Sequence, residues 1–289
     1  MADSALVHEQ TASTHGMLRP DRGQGRFRLV RHAPAANVAD LVERHWTVSW
    51  SLPRGVAFTQ EVLPHPCANL VTEAHLVAVH GMPLSRGRKT LEGSGSATGT
   101  KFRPGALAAL TGRPAEAFID VSVPPAEAFG EPGLALERQL ASTAGDPRAH
   151  VDTVEQFLRE HRAPADPRFE LLREIVSDML FADRRLGVAD FARRHAVSQR
   201  TLQRLFRDYV GVTPKWVLKR YRVHEAAERL ASGEAEDAAR LAADLGYSDQ
   251  SHFIRDFTAQ IGCSPRAYLL SCATARGEAS DPMRARDAA

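Results

Sequence analysis

Arg200, Gln203, Arg204 and Arg207 fall at the spacing of one helical face, while Leu202, Leu205, Phe206 and Tyr209 fall on the opposite one. A guanidinium can bridge two acceptors on guanine, and a glutamine amide matches the donor and acceptor of adenine. Side chains of this kind near the start of a helix suit the reading of base edges in a major groove. Ser198, just ahead of them, can accept from the exposed amides of the first turn and so start that helix. The pattern then returns. One offset of 51 residues aligns Gln199 with Gln250, Leu202 with Phe253, Arg204 with Arg255, Phe206 with Phe257, Gly211 with Gly262 and Pro214 with Pro265. Such an offset signals a repeated supersecondary unit. In the second copy Phe253 and Phe257 turn inward, leaving Gln250, Ser251, Ile254 and Arg255 outward. The candidate DNA-contact set is therefore Ser198, Arg200, Gln203, Arg204, Arg207, Gln250, Ser251, Ile254 and Arg255.

The elements that must position these residues are short. Val188, Phe191 and Ala192 predict a helix, His195 to Val197 a turn, and Ser198 onward the reading helix. Thr213-Pro214 starts a long helix carrying Trp216, Val217, Tyr221, Ala227 and Leu230, which Gly233 stops. Its expected length is about 17 residues, or roughly 26 Å. Two units on such a rod suit successive major-groove segments about 34 Å apart. The second unit starts near Asp237, turns at Gly246 to Asp249, and leads into a last helix at Arg266.

Charge supports the same chemistry. The chain has 289 residues and a net charge of +2, but from Arg184 to Arg222 eleven Lys/Arg face Asp190 and Asp208, a local net of +9. From Val223 to Leu270 four Lys/Arg face eight Asp/Glu, a net of −4. A local cationic excess is the footprint of phosphate contact.

Ahead of this region the signals change to β. Val42 to Trp50 predicts a strand with Trp46, Val48 and Trp50 on one face, and Glu61–Leu63, Ala68–Thr72 and His75–His80 predict others. Trp46 and Trp50 fit the sheet core better than a pocket lining, though core aromatics can line a pocket. Gly93 to Gly99 reads as a hairpin tip; it lacks the Gly-Lys-Ser/Thr ending of a phosphate loop. Pro104 to Gly112 fits a short helix or a strand. Helices are predicted over Glu131–Thr143, Arg148–Arg162 and from Phe169 to near Asp183, with Ala163 to Pro167 as a linker.

At Leu245-Gly-Tyr-Ser-Asp-Gln-Ser-His-Phe-Ile-Arg-Asp-Phe257, continuing to Gly262-Cys-Ser-Pro-Arg-Ala-Tyr268, and again at Val197-Ser-Gln-Arg-Thr-Leu-Gln-Arg-Leu-Phe206, the chain resembles the AraC/XylS-type transcription regulators. The resemblance covers about 100 C-terminal residues. It implies two helices docked in adjacent major-groove segments, with base contact carried over to Arg200, Gln203, Arg204, Gln250, Ser251 and Arg255. The family usually places glycine where this chain has Ala196. Asp244, Asp249 and Asp256 make the second unit acidic, so the first is expected to supply most of the affinity and the second mainly register. Lys101 to Gly112 resembles, more weakly, a domain that precedes such regulators.

The expected architecture is α+β: a β-rich N-terminal domain followed by an all-α tandem helix-turn-helix domain with a long connecting helix. The expected divisions are a disordered tail at 1–25, a β-rich effector or dimerisation domain at 26–145, a helical connector and linker at 146–166, the DNA-binding domain at 167–272 and a disordered tail at 273–289. The expected function is sequence-specific transcription regulation in the cytoplasm. Double-stranded DNA is the partner, with RNA polymerase, a small-molecule effector and a second copy of the chain as further candidates. No cofactor, metal or membrane span is expected. Two alternatives compete: an N-terminal domain that only dimerises, and an enzyme or metal protein using His65, Cys67, His75 and His80. The spacing of that set fits no familiar zinc pattern. A reactive Cys67, as in alkyl-transfer repair proteins that share the DNA-binding unit, would need a four-cysteine zinc site, and the chain has three cysteines.

Overall fold

The computed structural model describes residues 16–162, 164–235 and 237–279. Eight strands come first: β1 (Arg28–His32), β2 (Val42–Ser51), β3 (Ala57–Val62), β4 (Asn69–Glu73), β5 (Leu76–His80), β6 (Gly87–Glu92), β7 (Ser94–Phe102) and β8 (Ser122–Val123). Six form an antiparallel sheet in the order β1-β2-β7-β4-β5-β8, and β3 pairs with β6 in a second sheet. Between and after them lie α1 (Ala106–Thr111), α2 (Pro125–Phe129), α3 (Glu131–Ser142), α4 (Pro147–Glu160) and α5 (Pro167–Phe181). The C-terminal part is all helix: α6 (Val188–Arg194), α7 (Gln199–Tyr209), α8 (Pro214–Ser232), α9 (Ala238–Asp244), α10 (Gln250–Ile261) and α11 (Pro265–Ala279). The expected α+β arrangement is what the chain adopts.

A bulge at Glu43 decides which face each β2 side chain takes. Val42 pairs with Phe102 and Arg44 with Lys101, so one extra residue sits on β2. Strict alternation would put Val42 and Arg44 on one face; the extra residue separates them. Val42 and His45 then point into the core, fully buried, while Arg44, Trp46, Val48 and Trp50 line the other face. Opposite Trp46 stands Gly99, and opposite Trp50 stands Gly95. A Cβ at Gly99 would lie 2.3 Å from the Trp46 ring, and one at Gly95 would lie 2.5 Å from the Trp50 ring. These glycines clear space for two indoles. The glycine-rich run is thus a central strand rather than the expected hairpin tip, and Gly93 alone makes the turn, at φ 54°.

The core face of the sheet carries a buried polar chain. The Ala35 amide donates to Glu155 (2.8 Å), whose carboxylate meets His45 (3.3 Å). Thr100 joins His45 (2.8 Å) to His150 (3.3 Å), and Thr72 closes on the other nitrogen of His150 (3.2 Å). Both α4 residues in this chain, His150 and Glu155, are buried, so the helix expected as a connector is clamped to the sheet.

Two apolar cores result. One runs from the sheet through α4 and α5 into α7 and the first half of α8, ending at Tyr221. The other gathers the second half of α8 with α9, α10 and α11, and takes in Leu18 and Leu63 from the N-terminal part. Leu18 is 3% exposed, and Arg19 donates to Ser271 (2.8 Å) and Glu61 (2.6 Å). The expected tail at 1–25 is corrected from Gly16 onward, because this segment fills a gap against α11. Likewise α11 extends to Ala279, past the expected end at 272. The rest of both expected tails, 1–15 and 280–289, lies outside the described residues.

Candidate nucleic-acid interface and the cavity behind it

The first unit is α6, a turn and α7. The Ser198 hydroxyl accepts from the Thr201 amide (3.0 Å), which caps α7. Leu202, Leu205 and Phe206 are fully buried, and this fixes the rotation of α7. Arg200, Gln203, Arg204 and Arg207 consequently all face solvent, as does Ser198. In the second unit Asp249 caps α10 by accepting from the His252 amide (2.8 Å), and Phe253, Phe257 and Ile261 are fully buried. Gln250, Ser251 and Arg255 are exposed. Ile254 differs: it is half-buried and packs against the second core, so its apolar surface is largely committed to holding α10 in place.

The two turns are not equal in length. Ala196 (φ 52°) follows α6 as Gly246 (φ 71°) follows α9, an offset of 50, whereas the caps Ser198 and Asp249 differ by 51. Ser248 is the added residue, and it binds Asp249 (3.1 Å) and His252 (3.2 Å). Ala196 keeps the left-handed backbone that favours glycine, at a cost of about 1–2 kcal/mol. Ala196→Gly is expected to gain a few tenths to about 1 kcal/mol in urea unfolding, since glycine's extra unfolded-state entropy offsets part of the relief. An unchanged or lower midpoint would show that the turn is unstrained.

The cationic stretch is less open than its charge suggests. Arg184 pairs with Glu225, Arg185 with Asp183, Arg193 with Asp190, Arg194 with Asp178 and Lys219 with Asp256. Arg222 donates to the carbonyls of Arg184 and Leu186, and Arg207 touches Asp208 at 3.4 Å. Arg200, Arg204 and Lys215 are exposed and have no ion-pair partner among the described residues. The acids of the second unit are also engaged internally: Asp244 with Arg229, Asp256 with Lys219, and Asp249 as a cap.

Between the units, α8 is 19 residues long, about 28 Å. Thr213 caps it by accepting from Trp216 (3.2 Å), and Gly233 (φ 82°) stops it. Trp216, Arg220 and His224 lie on one stripe, spaced four apart. Arg220, 2% exposed, donates to the carbonyls of Pro64 (3.0 Å) and Leu84 and lies 4.4 Å from the Trp216 ring centroid. His224 stacks on His65 with centroids 4.0 Å apart. The repeat even shares its contact with the N-terminal part. A Cβ at Gly211 would meet Ile119 at 2.7 Å, and one at the equivalent Gly262 would meet the Arg86 guanidinium at 2.4 Å. Neither contact was foreseeable from sequence, because each joins residues far apart in the chain.

His65, Cys67, Trp46 and Trp50 all border a cavity of about 470 Å³ between the two sheets. The indoles line this space and are not closed into a core. Burial pushes the Cys67 thiol up to about 11, so it is not a thiolate at neutral pH. Among the described residues, no group of three or more His, Cys, Asp or Glu side chains is placed to hold a metal ion. None of the described helices is long and apolar enough to cross a membrane.

The family model described as a helix-turn-helix domain matches residues 191–271, which spans both units and α8. The C-terminal region thus matches a helix-turn-helix domain. Residues 30–124 match a second model, a domain of unknown function (DUF6597), which spans the sheets and the cavity. The chain is similar to the HTH-type transcriptional activator RhaR of Yersinia pestis, 28% identical over 108 residues, or 37% of this chain and 36% of the relative. It is also similar to the activator RhaS of Escherichia fergusonii, 35% identical over 75 residues, or 26% of this chain and 27% of the relative. The match thus spans about a third of these relatives' length or less. Among solved structures, an AraC-type transcriptional regulator from Chromobacterium violaceum is 25% identical, covers 39% of this chain and 95% of that chain, and has a TM-score of 0.33. ToxT from Vibrio cholerae is 10% identical, covers 86% of this chain and 97% of that chain, and has a TM-score of 0.35.

Proposed function

We propose that the chain is a sequence-specific, DNA-binding transcription regulator whose N-terminal domain senses a small molecule. The observation that carries this reading is the helix-turn-helix domain itself: two capped reading helices, α7 and α10, with exposed polar side chains, strapped by one 28 Å helix. Base contact falls to Arg200, Gln203 and Arg204 on α7 and to Gln250, Ser251 and Arg255 on α10. Ser198 and Arg207 stand beside the phosphates, and Ile254 supports α10 while offering an apolar edge. The cavity favours sensing over dimerisation alone, since a purely dimerising domain has no use for two indoles around an open space. The relatives that share the domain are transcriptional activators, so activation from a cytoplasmic, DNA-bound state is the expected outcome, with RNA polymerase as a further partner.

Selection of bound fragments from a genomic library tests the reading, and failure to enrich any sequence would end it. On an enriched site, affinity should fall steeply with salt as counterions are released. Arg204→Ala should cost about 1–3 kcal/mol and relax preference at one base pair. A uniform loss across all sequences would make Arg204 a phosphate contact instead. The first unit should dominate affinity, because α7 presents several arginines where α10 presents Arg255. If Arg255→Ala weakens binding as much as Arg204→Ala, that division is wrong.

A further inference from the structure

The cavity floor is graded along its strands, and the grading points to a class of ligand. Cross-strand pairing sets Arg44 beside Lys101, then Trp46 beside Gly99, Val48 beside Ala97, and Trp50 beside Gly95. Arg31 pairs with Trp46 across β1 and β2, which places it diagonal to Arg44 on the same face. One end of the floor is therefore cationic, and the remainder is indole and aliphatic.

Charge at the cationic end does not balance. Among the described residues, Lys101 (2.9 Å) and Arg44 (3.3 Å) share the single carboxylate of Glu43, so this pair by itself carries a net positive charge. Lys101 is 6% exposed, and burying a cation beside apolar surface is costly without an anion. Burial, with Arg44 next in effect, lowers Arg31 to about 10, still far above neutrality, so it keeps its charge. Cys67 adds no negative charge there, since its thiol is protonated. At the other end Glu73 is neutralised by Lys89 (2.5 Å).

We propose that the cavity binds an organic monoanion with a flat apolar body, its carboxylate set among Arg31, Arg44 and Lys101 and its body against Trp46 and Trp50. This rests on the reading of the N-terminal domain as a sensor of small molecules. The volume of about 470 Å³ suits one such molecule. A cationic ligand, which indoles could otherwise hold, is repelled by the arginine end. A neutral polyol would leave the surplus charge uncompensated, and a polyanion would meet too much apolar wall.

The probes are 2-naphthoate and its neutral analogue 2-naphthalenemethanol, titrated calorimetrically into the full chain near neutral pH. Naphthoate should bind at least about tenfold more tightly than the alcohol. Arg44→Gln should weaken naphthoate by about tenfold and leave the alcohol within about twofold. Arg31→Gln, with circular dichroism confirming the fold of both variants, provides a second route should Arg44→Gln unfold. Equal binding of the two probes, binding of neither, or insensitivity of naphthoate to both variants overturns the proposal. DNA binding is measured on the same preparation. Retained DNA binding with failed naphthoate binding sinks the ligand class alone. Naphthoate binding without DNA binding sinks the regulator reading and leaves the cavity assignment standing.

Discussion

Arg220→Ala is expected to lower stability by about 3–6 kcal/mol, from two lost bonds to a charged group at roughly 1.5–3 kcal/mol each. The guanidinium is buried, and burial lowers it to about 10, so it stays charged within the protein. Its removal would leave the Pro64 and Leu84 carbonyls without these donors and empty the space over Trp216. The damage falls at the seam between the N-terminal part and α8, so hydrogen exchange should rise first around His65 and His224. Urea unfolding with exchange mass spectrometry reads both effects. A loss below about 1 kcal/mol would mean that the desolvation cost of the charge cancels its bonds.

The second large effect is acid sensitivity. Burial, and then the nearby His45, lower His150 from 6.5 to about 3. The unfolded chain therefore takes up a proton as pH falls through 6.5, while the folded chain does so only near 3. The sign follows: this stability is fully present above about 6.5 and is lost as pH falls from there toward 3. The full amplitude is on the order of 3–5 kcal/mol, with about 2–3 kcal/mol gone by pH 4.5. Glu155 adds to the loss at lower pH. Burial alone would raise its pKa, but His45, the Ala35 amide and Arg159 outweigh that and hold it below the usual carboxylate range. Groups facing His150 are Thr72, Thr100 and His45. His150→Gln should flatten the pH dependence between 6.5 and 4.5 in urea titrations. A slope equal to that of the parent would assign the acid sensitivity elsewhere.

The repeat was legible because its signals are local. Caps at Ser198 and Asp249, inward Phe206 and Phe257, and stops at Gly211 and Gly262 each act within a few residues. Sequence placed the outward face of α7 correctly for the same reason. It overcounted open charge because the acids that neutralise Arg184 and Arg194 are Glu225 and Asp178, outside the counted stretch. Glycine was misread at Gly95 and Gly99, since its usual meaning is a turn, and here it makes room for an indole on the adjoining strand. Ile254 shows the limit of periodicity: it lies on the outer half of the helical wheel, yet α10 sits low enough to half-bury it. Arg220 and Arg19 were silent in sequence, because a buried arginine looks like any other until its distant carbonyl partners are known.

The extra residue at Ser248 has a consequence for the target. Two heads with unequal turns, carried in tandem on one chain, are not related by a twofold axis. On the proposed reading, a duplex contacted by two such unlike heads has a front and a back, and a single chain bound there faces one way along it.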